Sequence, residues 1–106
     1  MTYQLLLSTC PDQKTAEAIA TILVEEKLAA CINILPGITS IYTWQDQLET
    51  AREHLLLIKT RSDHYREIVD CIRANHPYEL PEIIAVPVDQ GMPEYLQWID
   101  SCLSDK

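Results

Sequence analysis

A chain of 106 residues with 47% hydrophobic and 23% charged residues has the size and balance of one globular unit, read as a single domain over 1–106. Its 8 basic residues stand against 16 acidic ones, and the net charge of −8 repels phosphate backbones and anionic lipid. General nucleic-acid binding and a polybasic membrane attachment are excluded.

Tyr3 to Ser8, with Leu5, Leu6 and Leu7 at its centre, reads as a buried strand ended by Pro11-Asp12. Asp12 is suited to cap a helix in which Ala16, Ile19, Ala20 and Leu23 recur at helical spacing, with Glu17, Glu25 and Glu26 on the wet side. Cys31–Leu35 is a second strand, interrupted by Pro36-Gly37 and resumed over Ile38–Trp44; a proline there predicts a kink or bulge. After the polar turn Gln45-Asp46-Gln47 a long strand runs from about Leu48 to Thr60. Both arms exceed the mean strand of about 5–6 residues.

Ser62 or Asp63 is placed to cap a second helix carrying Tyr65, Ile68, Val69 and Ile72 on one face, stopped by Pro77. A strand over Ile83–Val88 follows, then a helix begun at Pro93 with Met92, Tyr95, Leu96, Ile99 and Leu103 as its apolar face. The order is βαββαβ plus an extra C-terminal helix, the α+β ferredoxin-like arrangement with both main helices on one sheet face. The opposite face is left apolar and the hairpin arms overhang. Exposed edges of that length invite pairing, so the chain is expected to self-associate.

Met1–Gln4 lacks the positive region and cleavage site of an export signal, and the longest aliphatic run, Leu55–Ile58, is strand-sized. The expectation is a cytoplasmic protein with no membrane span. Cys10, Cys31, Cys71 and Cys102 are widely spread without zinc-ligand spacing, as expected of free, mostly buried thiols.

Chemistry concentrates in Asn75-His76-Pro77-Tyr78-Glu79-Leu80-Pro81-Glu82, where two prolines hold an imidazole, a phenol and carboxylates. His76 with Glu79 or Glu82 can hold a divalent metal; the plainer alternative is that Asn75 and His76 cap the helix. Cys10 near a helix start is a soft-metal candidate or a small buried residue. His64 and Glu67, three apart, can share a ligand or lie on the surface, and His54 reads as a solvated strand residue. Lys59 and Arg61 meet an anionic ligand or pair with carboxylates such as Glu82. Trp44 at the hairpin tip is best used against a neighbouring subunit. Trp98 covers a sheet or a subunit boundary. No nucleophile elbow, phosphate loop or dinucleotide fingerprint is present, and the expectation is a non-enzyme.

Several stretches in one order resemble the CutA divalent-cation tolerance family over nearly the full chain. They are Thr9-Cys10-Pro11-Asp12, Lys27–Cys31, Leu35-Pro36-Gly37 through Trp44, Ile58-Lys59-Thr60, His76–Ile83 and Tyr95–Trp98. The resemblance implies a ferredoxin-like protomer, a homotrimer, a cytosolic location and kinship with trimeric PII signalling proteins. It implies association with divalent metal ions, copper in particular. In some members copper is held by a first-strand cysteine, a histidine and a glutamate, whose positions here are Ser8, Asn75 and Glu82. The nearest ligand types are Cys10, His76 and Glu82. The resemblance further implies an inter-subunit cleft to which Lys59, Tyr78, Glu82 and Trp98 contribute. The alternative function is a PII-like scaffold that binds a small molecule in that cleft.

Overall fold

The computed structural model describes residues 2–105. Strand β1 (Tyr3–Cys10), helix α1 (Gln13–Glu25), the hairpin β2 (Cys31–Trp44) and β3 (Gln47–Arg61), helix α2 (Tyr65–Asn75), β4 (Ile84–Pro87) and α3 (Pro93–Cys102) follow in the expected order. The sheet is β2-β3-β1-β4 with every neighbour antiparallel, which is the ferredoxin-like order. Directly opposed residues share a face, so Leu6, Ser8, Cys10, Ile34, Leu56 and Ile58 point together to the side on which Ala16, Ile19, Leu23, Ile68 and Ile72 close the core.

The Asp12 carboxylate accepts the Thr15 N–H at 2.8 Å and starts α1 as expected. At the other end the Leu28 N–H reaches back to the Leu23 carbonyl, a closing bond that forces Lys27 to φ 60. A lysine in this left-handed conformation is strained, whereas glycine is not. Lys27→Gly is therefore expected to raise stability by about 0.5–1 kcal/mol, read as a later urea midpoint.

Neither Ser62 nor Asp63 caps α2. Residues Ser62–His64 form a 3₁₀ turn, and the Asp63 carboxylate is drawn away by Arg61 and His64. Strand β4 is shorter than Ile83–Val88 because it pairs only with Gln4–Leu7 of β1. The α3 stripe also packs less than its periodicity suggests. Ile99 and Leu103 are buried against Ala30 and Tyr3 with Leu96 alongside, while Met92 and Tyr95 stay exposed. Polar contacts hold the helix down. Arg61 bridges Asp63 and Asp100, the Tyr3 hydroxyl donates to Asp100 at 2.6 Å, and the fully buried His64 reaches the Ser104 carbonyl at 2.9 Å.

The register breaks between Leu35 and Ile38, as Pro36-Gly37 predicted, with Gly37 at φ 72. Beyond Cys10↔His54, the β3 residues Gln47–Glu53 have no partner on β1, so the outer hairpin is a two-stranded ribbon with free edges. Its turn places Gln45 and Asp46 at φ 51 and 64, the signature of a type I′ turn. On the sheet face away from α1 and α2 lie Leu5, Leu7, Leu35, Leu55, Leu57, Ile84 and Val86. Leu35, Ile84 and Val86 are exposed, so this face carries the uncovered apolar surface that the element order predicted.

Candidate functional site

The loop from His76 to Glu82 is fixed by its own polar groups. Asn75 Nδ2 donates to the Cys71 carbonyl at 2.8 Å and so terminates α2. His76 is the C-cap residue of α2, as expected, with its backbone already extended, but its side chain is used elsewhere. Its Nε2 lies 2.7 Å from the Thr9 carbonyl and its Nδ1 accepts the Tyr78 N–H at 3.1 Å. A carbonyl can only accept and an amide can only donate, so the ring is fixed as the Nε2–H tautomer with both nitrogens engaged. The imidazole ties the loop to the end of β1 and stacks at a tilt on the Tyr78 ring, with centroids 4.6 Å apart.

That tie delivers the Tyr78 hydroxyl to Glu53, a donation of 2.7 Å to a carboxylate that is almost fully buried. Burial, then the Glu53 hydrogen bond and charge, push the Tyr78 phenol well above its ordinary pKa. Burial, then the Glu53 charge, also raise the Glu82 carboxyl. Glu53, Tyr78 and Glu82 line an open cleft of about 790 Å³, walled by Ser40, Tyr42 and Trp44 of the hairpin and by Leu80. Sequence reasoning passed over Glu53. The available signal was its parity: it continues the open face of Leu57 and Leu55, where a carboxylate breaks an apolar series.

The residues Cys10, His76 and Glu82 do not make a three-ligand metal set. Among the described residues no group of three His, Cys, Asp or Glu side chains is placed to hold a metal ion. His76 has both nitrogens engaged, and Cys10 points to the core face under α1 while Glu82 lines the cleft on the other side with Thr9 and Glu53. The cleft instead offers the carboxylate oxygens of Glu53 and Glu82, donors that suit hard and borderline divalent ions. His64 is committed to Asp63 and the C-terminal segment, not to a ligand shared with Glu67. His54 is half-buried rather than solvated.

Lys59 and Trp98 lie elsewhere. Lys59 pairs across from Leu5, four positions along β1 from Thr9 at the cleft, roughly 13 Å by strand rise. It donates to Asn33 Oδ1 and approaches Cys31 Sγ at 3.9 Å. Trp98 stacks on Tyr95 with centroids 5.5 Å apart, and Tyr95 shares a second, apolar pocket of about 260 Å³ with Lys59. Arg61 pairs with Asp63 and Asp100, not Glu82, because Glu82 sits at the opposite end of the sheet. The four cleft candidates are thus not brought together within one chain: Tyr78 and Glu82 line the cleft, Lys59 lines the second pocket, and Trp98 stacks on Tyr95 at its edge.

Fold and site together define a small α+β protein of ferredoxin-like topology with an acidic loop-and-hairpin cleft. The profile described as CutA1 divalent ion tolerance protein matches residues 4–102, and the chain belongs to this family. It is 46% identical over 96 residues to the divalent-cation tolerance protein CutA of Thermus thermophilus, covering 91% of this chain and 93% of that one. It is 50% identical over 91 residues to the protein CutA homolog of Xenopus laevis, covering 86% of this chain but only 60% of that protein's length. The solved structure of the Archaeoglobus fulgidus protein, described as periplasmic divalent cation tolerance protein CutA, superposes with a TM-score of 0.93 at 40% identity, covering 96% and 99% of the two chains.

Proposed function

We propose that this chain works as a non-enzymatic homotrimer that captures a divalent cation, copper by family association, in clefts between subunits. One subunit supplies the Glu53–Tyr78–Glu82 half-site and its neighbour supplies the Lys59–Trp98 half-site. The observation that carries this reading is the separation of the two half-sites. Both lie on or beside the uncovered sheet face and too far apart to serve one ligand within a chain; in this reading a second copy docked on that face brings them together. The number three comes from the family resemblance. Four free thiols favour a reducing compartment, and the cytosol is the location we assign.

Capture here is coordination rather than bond-making. Glu53 is held in place by the Tyr78 hydroxyl, so its oxygens are pre-ordered, and Glu82 supplies a second carboxylate from the loop rim. Calorimetric titration with Cu²⁺, Zn²⁺ and a panel of nucleotides tests this. We expect one cation per chain, with affinity falling at least about tenfold on Glu82→Ala. Nucleotide binding with both metals silent would instead favour a PII-like scaffold, in which the Lys59 end holds an anionic ligand.

A further inference from the structure

A different group of side chains lies on the other face of the sheet, under α1. Cys10 and His54 are direct cross-strand partners at the last pair joining β1 to β3, which places their Cβ atoms about 4.5–5.5 Å apart on one face. Two positions back along β1, Ser8 points to the same side. Ser8 is fully buried and its hydroxyl makes no hydrogen bond, and His54 Nδ1 is buried and equally unpartnered. Buried polar atoms without partners are rare because each forfeits its hydration, and two flanking one buried thiol point to a missing ligand.

We propose that Cys10 and His54 form a two-coordinate site for a soft monovalent cation such as Cu⁺ or Ag⁺, with the Ser8 hydroxyl as a weak third donor. Thiolate sulfur and imidazole nitrogen are the donors such ions prefer, and two suffice for linear coordination. The cation replaces the thiol proton, so sulfur, metal and imidazole are together neutral and fit a buried position. Nδ1 supplies the lone pair, and its proton resides on Nε2. His54 as a whole is half-buried, so the site lies close to the surface. The site shares no ligand with the Glu53–Glu82 cleft and stands or falls without it.

The test titrates Ag⁺, which is redox-silent, into the full chain carrying Cys31→Ser, Cys71→Ser and Cys102→Ser, so that Cys10 is the remaining thiol. We expect one Ag⁺ per chain, lost on Cys10→Ser, weakened at least about tenfold on His54→Gln, and unchanged on Glu82→Ala. An affinity indifferent to His54→Gln would overturn the proposal. A second measurement uses the unsubstituted protein: the ¹⁵N resonance of His54 Nδ1 should move on adding Ag⁺. A response confined to other histidines, or none, would mean that Ser8 and His54 merely share a buried water, and would equally overturn it.

Discussion

Ile84→Glu is expected to give a folded monomer. Ile84 is 51% exposed in the single chain and packs against neither core helix, so a carboxylate there changes the isolated fold by no more than about 0.5 kcal/mol. In the proposed trimer the same position lies on the covered face beside Leu7 and Val86, where an unpaired charge is desolvated and repeated in every subunit. A penalty of about 3 kcal/mol or more corresponds to at least about 100-fold weaker association. Light scattering gives the mass and far-ultraviolet circular dichroism reports the retained fold. Loss of the fold itself would mean that the face is needed inside the protomer.

The second large effect lies at the other end of the sheet. Arg61, with a side chain only 12% exposed, stands between Asp63 and Asp100 and links the end of β3 to α3. Arg61→Ala leaves both carboxylates without their cation and the Tyr3–Asp100 bond unsupported. Breaking a fully buried pair costs about 3–5 kcal/mol; because Asp100 is 40% exposed, a loss of about 2 kcal/mol is expected. Chemical denaturation of the Ile84→Glu monomer, with and without the Arg61 change, measures it.

The pH dependence follows from the same contacts. Burial tends to raise Asp63, but the hydrogen bonds from Arg61 and His64 outweigh it and hold the carboxyl below its ordinary pKa. The Tyr3 hydrogen bond, then that of Arg61, lower Asp100. Depressed carboxyls stabilise the fold fully above their unfolded pKa of about 4, and that contribution is lost as pH falls through the folded values. The stability difference between the protein with Arg61 intact and its Arg61→Ala variant should therefore be constant near neutrality and shrink in acid. A gap that widened in acid would contradict the assignment.

Periodicity and breakers make most of the fold legible. Asp12, Pro77 and Pro93 mark helix ends that the structure keeps, and Pro36-Gly37 marks the bulge. The start of α2 is misleading in sequence because Ser62 and Asp63 resemble caps locally, whereas Asp63 is claimed by Arg61 and His64 through tertiary contact. The site is less legible for the same reason. Nothing in the spacing of His76 reveals that Thr9, distant in sequence, takes its Nε2, or that Glu53 waits under Tyr78. His54 reads as solvated because it is a polar residue, although its parity with Leu56 and Ile58 along β3 already puts it on the core face, where it stands opposite Cys10.

The separation of Tyr78 and Glu82 from Lys59 and Trp98 makes assembly the claim on which the functional reading depends. Sedimentation equilibrium of the unmodified protein at micromolar concentration tests it most directly. A single species of three times the 12.1 kDa chain mass is expected. A stable species at the mass of one chain would contradict the trimer and the shared cleft with it.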